Sequence, residues 1–302
     1  MERTSKIYKL RRKLQVLAHN ILSDEFLSKI YFRIVLNKKL NLKKPKTFNE
    51  KIQWMKLYYY PYEEKVIEAT DKFTVREYLK NKKLDNILVP LLGVWNNAKD
   101  IEWEKLPNKF VLKCSHGCAY NIIVEDKNKL DKKQTVKLLN HWMKEDFGAY
   151  NIELHYSKIK DHKIVCEEFL GNDIVDYKFF CFNGMPECVY VSNDLIHDRQ
   201  AQIGFYKLDG TKMDLKREDY TDFDNVIFPP FFNKMVEISK KLSKDFPFVR
   251  VDFFVTNNNY YFAELTFTPS AGMMPFNPEK YDLEWGKKIL LNNIWRNFNE
   301  KK

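Results

Sequence analysis

Two acids and an arginine within one short stretch carry the strongest chemical signal in this sequence. From Val249 to Gly272 the chain reads as two aromatic and β-branched runs around Asn257, Asn258 and Asn259, which is a hairpin pattern. A three-residue turn would pair Thr256 with Tyr260. Counting outward, Asp252 then lies opposite Glu264 on one face and Arg250 opposite Thr266. Like charges facing each other across a strand pair repel, so a cation must lie between or above them. Either a Mg²⁺ ion sits there, or Arg250 neutralises Asp252 while Glu264 reaches solvent. A two- or four-residue turn would send the acids to opposite faces.

Lys113 ends an apolar strand directly before the small-residue loop Ser115-His116-Gly117-Cys118-Ala119. An ammonium there can meet a phosphate while loop N–H groups approach the same ligand, or it can simply be solvated. His116 is either a phosphate contact or a loop-capping ring. Glu167 and Glu168 end another apolar strand, with Leu170 just beyond. Backbone groups at such an end could bond an adenine edge and a carboxylate could bond a ribose, or the acids could be one in and one out on a plain strand end. Asp176 and Lys178 alternate about Tyr177 and so point to one face, suited to a polar cleft or to a surface ion pair.

The elements that must position these groups follow from periodicity. Ile7, Leu10, Leu14, Leu17 and Ile21 recur at three- and four-residue spacing among Lys6, Lys9, Arg11, Arg12 and Lys13, an amphipathic basic helix. It can lie on an anionic membrane or pack its apolar stripe on the body with its charges in water. Thr47 and Glu50 form a capping box for a helix through Trp54, Met55 and Leu57. Asp71 and Lys72 open a helical stretch containing Val75, Tyr78 and Leu79, and Ile87 to Leu92 is strand-like. Strands are expected at Phe110–Lys113, Asn121–Val124, Lys163–Phe169, Tyr177–Phe182 and Glu187–Val191, the last two joined by the turn Asn183-Gly184. Helices are expected at Asp131–Met143, Phe232–Leu242 and Leu283–Trp295. Helices and strands are mixed rather than strictly alternating, so the class is α+β.

Composition narrows the function classes. The 302 residues are 44% hydrophobic and 15% aromatic, those of a folded globular protein. The net charge is +10, but the first fifty residues hold thirteen Lys or Arg against four Asp or Glu, so the remainder is nearly neutral. A nucleic-acid groove needs clustered basic charge where binding happens, and the main body lacks it. The five cysteines lack zinc-type spacing and read as reduced thiols. No apolar run reaches a membrane span, and His19 and Asn20 interrupt the start, so a cytosolic location is expected.

Taken in order, these pieces resemble the ATP-grasp superfamily, whose members join a carboxylic acid to an amine through an acyl phosphate. Arg250-x-Asp252, then Tyr261-x-x-Glu264-x-Thr266-x-x-Pro269 and Gly272-Met273, resembles the closing block of D-alanine–D-alanine-ligase-like enzymes. With Lys46-Thr47-Phe48-Asn49-Glu50-Lys51 and Phe110-Val111-Leu112-Lys113, the chain looks like the TupA-like branch, associated with teichuronopeptide and surface-polysaccharide synthesis. The resemblance covers nearly everything after residue 30. It implies an ATP-grasp fold of two α+β subdomains gripping ATP, with a basic helical extension over residues 1–60 and the ATP-grasp domain over 61–302. Within that domain, about 106–175 would be the lid and adenine hinge and about 176–302 the metal-binding and catalytic part.

The same resemblance makes Lys113 a phosphate ligand and the loop after it, with His116 and Gly117, a flexible lid over the triphosphate. Glu167, Glu168 and Leu170 become the adenine hinge, Asp176 a ribose or second polar contact, and Lys178 a phosphate or substrate contact. Asp252 and Glu264 become magnesium ligands, and Arg250 the holder of the oxyanion. Thr266 stands where an asparagine normally meets a second metal, and Ser270-Ala271 separate Pro269 from Gly272. The implied activity is a cytoplasmic ATP- and Mg²⁺-dependent ligase joining an amino acid to a uronic acid of a capsular or cell-wall polysaccharide precursor, with possible peripheral membrane contact through residues 1–21 and no nucleic acid. Two rivals are a glycosyltransferase of the same pathway and a non-catalytic, membrane-docked nucleotide-binding scaffold. Arg199 and Tyr206 are either substrate contacts or surface residues.

Overall fold

The computed structural model describes residues 6–193, 201–217, 220–256 and 259–291. Five helices come first: α1 (Lys6–Ile21), α2 (Asp24–Leu36), α3 (Phe48–Tyr58), α4 (Glu64–Thr70) and α5 (Val75–Asn81). The predicted capping box starts α3: the Thr47 hydroxyl accepts from the Glu50 N–H, and the Glu50 carboxylate accepts from Thr47 N–H at 3.1 Å. α2 starts on Ser23 and stops at Asn37, whose left-handed backbone breaks the helix.

Strands β1 (Leu91–Trp95), β2 (Phe110–Cys114), β3 (Asn121–Val124) and β4 (Ile164–Glu168) form an antiparallel sheet in the order β1-β4-β2-β3. Between β3 and β4 run α6 (Lys132–Trp142), α7 (Gly148–Asn151) and α8 (Leu154–Ser157). The first sheet has its own apolar core, in which Phe110, Leu112, Leu139 and Ile164 are fully buried.

A second, six-stranded sheet is built from β5 (Val175–Phe182), β6 (Met185–Asn193), β7 (Gln202–Lys207), β8 (Thr221–Asp222), β9 (Phe248–Val255) and β10 (Tyr260–Thr266). Its order is β10-β9-β5-β6-β7-β8, antiparallel except for β7 and β8. Asn183 and Gly184 both take the left-handed conformation that a tight two-residue hairpin requires, as the dipeptide predicts. α9 (Phe232–Ser243) packs on β5, β6 and β9, and α10 (Lys280–Lys288) packs against α3. Phe48 of α3 meets Phe182, Phe248, Phe276 and Trp285 edge-on, so the early helix is rooted in the core of the late sheet. Burial of each such ring stabilises the fold by about 1.5–3 kcal/mol.

Some expected elements differ. The strand expected at Ile87–Leu92 lies at Leu91–Trp95, because 3₁₀ turns occupy Asp85–Ile87. The last helix starts at Lys280 and stops at Lys288, ahead of the expected Leu283–Trp295, whose end lies outside the described residues. Arg199 also lies outside them. Tyr206 is buried, its hydroxyl donating to the carbonyl of Phe223, so it is not a surface residue.

The first helix overturns the expectation that its apolar stripe packs on the body. Ile7, Leu10, Leu14, Leu17 and Ile21 are 54–70% exposed. The opposite face docks instead, through Val16 and through Arg12, whose guanidinium lies 3.6 Å from the centre of the Tyr150 ring.

Candidate active site

The hairpin reaches its charge arrangement by a different route from the expected one. Val255 pairs with Tyr260, which leaves four residues, 256–259, in the connection rather than three. That alone would put the acids on opposite faces. A bulge at Ala263 between Phe262 and Glu264 shifts the register back, so Glu264 pairs with Asp252 and Thr266 with Arg250. Asn257 and Asn258 lie outside the described residues.

Within this pair Arg250 donates to both Asp252 oxygens, Nε to Oδ1 at 2.8 Å and Nη2 to Oδ2 at 2.6 Å. The same nitrogen donates to the Thr266 hydroxyl at 3.1 Å, and that hydroxyl donates to Glu264 at 3.0 Å. Asp252 is fully buried, whereas the Glu264 side chain is 34% exposed. Asp176 and Lys178 do share a face, 2.6 Å apart, with Lys178 also 3.5 Å from Asp252. Burial opposes the charge on Lys178, but Asp176 and Asp252 outweigh it and hold its pKa above the ordinary value. Burial likewise pushes Glu264 up, and Lys72, Arg250 and Lys178 together bring it below the usual carboxylate range.

Across the cleft, Lys113 donates to Glu167 at 2.5 Å while Arg76 donates to the other Glu167 oxygen at 3.1 Å. The Lys113 ammonium also stands 5.6 Å from the centre of the Phe254 ring on β9, so this lysine spans the two sheets. Lys72, Arg76, Lys113, Glu167, Phe262 and Ala263 line one cleft. Glu168 is exposed and its N–H donates to Pro90 at 3.1 Å. Leu170 is half-buried in the segment from residue 169 to 174 that passes from the first sheet to the second.

The loop after Lys113 is braced rather than loose. Ser115 donates to Asp71 at 2.6 Å, Asp71 also caps the N–H groups of Phe73 and Thr74, and Lys72 donates to the Gly117 carbonyl at 2.5 Å. Any side chain at Gly117 would lie 2.6 Å from the Tyr120 ring, so only glycine fits. His116 lies inside this loop. Its ring is 1% exposed, stacks 3.5 Å from His162 and bonds the Trp142 carbonyl at 3.0 Å, and burial lowers its pKa to about 4.

Sequence reasoning missed several contributors. Lys72 and Arg76 were legible only as the start of a helix, although Asp71-Lys72 ahead of Thr74 is a side-chain-capped opening whose lysine need not face solvent. It also missed a clamp from α3. Gln53 donates to the carbonyls of Ala271 and Gly272, each at 3.0 Å, and the buried Lys56 donates to Asn151 at 2.8 Å and Ala271 at 3.0 Å. Asn49 exchanges two bonds of 2.8 Å with the backbone of Met274. The clasped turn is strained, with Ser270, Ala271 and Gly272 all at positive φ.

Residues of both sheets thus line one cleft that holds two lysines and an arginine, an arrangement that can take a phosphate-bearing ligand. The model of the TupA-like ATP-grasp family matches residues 50–290. The chain belongs to that family, and its fold is the ATP-grasp fold expected from the sequence. No curated protein matches the sequence. Among solved structures it is similar to the D-alanine–D-alanine ligase of Bacillus anthracis, at 15% identity over 78% of this chain and 70% of that one, TM-score 0.48. It is similar to the Helicobacter pylori enzyme of the same name at 16% identity over 80% and 69%, TM-score 0.41. A third likeness is to the Staphylococcus aureus N5-carboxyaminoimidazole synthetase complexed with ADP, at 15% identity over 76% and 52%, TM-score 0.42.

Proposed function

We propose that this protein is an ATP- and Mg²⁺-dependent carboxylate–amine ligase that attaches an amino acid to a uronic acid of a surface-polysaccharide precursor. The observation that carries the reading is the collection of Lys72, Arg76, Lys113, Lys178 and Arg250 around facing acids, in a chain of this family. That density of positive charge suits a triphosphate meeting a carboxylate.

In this reading Lys113 exchanges Glu167 for a phosphate, and the loop braced by Lys72 lies over the same group. Glu167, Glu168 and Leu170 edge the adenine, and Asp176 takes the ribose or a second polar contact. The donor chemistry fits one Mg²⁺ on Asp252 and Glu264. Both are hard oxygen ligands, and the two bonds from Arg250 leave Asp252 about two of its four or so lone-pair sites. When bound, that ion would neutralise phosphate oxygens. Thr266, already shared by Arg250 and Glu264, orients those two rather than adding a strong second-metal ligand.

The γ-phosphoryl group would pass from ATP to the carboxylate, leaving ADP and an acyl phosphate. The amine then forms the C–N bond and phosphate departs. Arg250, with a guanidinium N–H beyond its Asp252 contacts, would stabilise the tetrahedral oxyanion between these events, and Lys178 would neutralise the departing phosphate. The place of work is the cytoplasm, at the inner face of the membrane. In support, no disulfide joins the five cysteines, all of which are described residues.

The test is ADP release from ATP and Mg²⁺ across a panel of amino acids and uronic-acid sugars, with Lys113→Ala and Glu264→Ala as controls. ADP formed only with one acid–amine pair, and lost in both variants, supports the ligase. Cleavage of a sugar nucleotide without ADP would replace it with the glycosyltransferase, and nucleotide binding without turnover would replace it with the scaffold.

A further inference from the structure

The face that α1 leaves in water is the wrong one for a helix that merely packs on its neighbours. At about 100° per residue, Ile7, Leu10, Leu14, Leu17 and Ile21 form one continuous stripe. All five are more than half exposed. The helix is instead fixed through its other side. Arg12 stacks on Tyr150, its Nε donates to the Tyr8 hydroxyl at 3.0 Å, and Val16 packs into the core of the first sheet. The stripe is therefore held outward by a rigid attachment. Leu22 and Phe26, just past the helix end, are exposed too.

Charge selects the occupant. Arg11 and Lys13 are both exposed and flank the stripe on its two sides. The first fifty residues carry thirteen Lys or Arg against four Asp or Glu. A second copy of this helix laid on the first would bring like charges together, whereas an anionic bilayer offers acyl chains for the stripe and negative headgroups for both flanks. We infer that α1 is an interfacial docking helix that lies in the surface of an anionic membrane while Arg12 holds it to Tyr150 of α7. This sharpens the membrane contact in the reading above and stands independently of the ligase chemistry.

The test is flotation of the full chain with vesicles of phosphatidylcholine alone and with phosphatidylglycerol added, with ADP binding measured on the same samples. The wild type should float with the anionic vesicles, stay behind with the neutral ones, and be released by salt. Leu10→Gln/Leu14→Gln/Leu17→Gln should fall to the neutral-vesicle level with an unchanged unfolding midpoint, since these leucines are exposed. Arg11→Glu/Lys13→Glu should do the same. No flotation of the wild type, or flotation of the triple variant equal to it, overturns the inference. So does a dimer that the triple variant dissociates in the absence of vesicle binding. Flotation without ADP binding would instead sink the nucleotide reading and leave this one standing.

Discussion

Arg250 grips Asp252 from two positions away on the same strand, with bonds of 2.8 and 2.6 Å to the two carboxylate oxygens. Asp252 is fully buried, with Lys178 3.5 Å away on the neighbouring strand. Asp252→Asn would leave two buried cations without their shared anion. Breaking such a pair from one side costs about 3–5 kcal/mol, so urea unfolding should show a loss of that size. Adding Arg250→Met should recover part of it, and a double variant no more stable than the single one would refute the pairing.

Lys113 rests on Glu167, which also receives Arg76. If the lysine turns to a phosphate, Lys113→Ala should weaken ADP or ATP binding by about 1.5–3 kcal/mol, the range of a charged hydrogen bond. Glu167→Gln should weaken it less, because both cations remain. Calorimetric titration that found equal affinity in Lys113→Ala and wild type would remove the lysine from the site.

Two buried histidines should make the fold acid-labile. Burial lowers His116 to about 4 and His155 to about 3, against an ordinary 6.5. Above 6.5 both states are neutral and contribute no pH dependence. Below it the unfolded rings take up protons that the folded ones refuse, so stability falls with pH until about 4 for His116 and about 3 for His155. The slope is about 1.4 kcal/mol per pH unit for each ring. His155→Phe, whose ring would sit among Tyr60, Tyr156 and Phe267, should flatten the urea-monitored profile between 6.5 and 4.

The clasp on the turn at 269–274 can be loosened from either side. Gln53→Ala leaves the Gly272 carbonyl without its donor and the Ala271 carbonyl with Lys56 alone, and should cost about 1–3 kcal/mol. Gly272→Ala meets both a φ of +73° and a contact of 2.8 Å with the Ile52 side chain. The left-handed backbone alone costs roughly 1–2 kcal/mol there. Both variants should be cut faster by protease within this turn, and a wild-type cleavage rate would mean that the clasp holds nothing.

Much of this was legible because it depends on local chemistry. The capping box at Thr47 and Glu50, the Asn183-Gly184 turn and the shared face of Asp176 and Lys178 need only neighbours in sequence. The hairpin shows where such reading stops. The facing of Asp252 and Glu264 was right, but the turn that seemed to require it was not, because a bulge at Ala263 has no residue signature in that run. The orientation of α1 was equally hidden. A periodic stripe tells which residues share a face, while the face that docks was decided by Tyr150, far along the chain. The contacts of Lys72 and Lys56 were hidden for the same reason, their partners being backbone carbonyls brought in by tertiary structure.

The Asn49–Met274 exchange joins positions 225 residues apart. On the ribosome α3 therefore emerges long before the turn it will hold, and its polar side chains stay wetted by solvent until the last strands arrive. Completion of the clasped turn is a late event in the life of each molecule, paced by closure of a very long loop rather than by the local helix that supplies the donors.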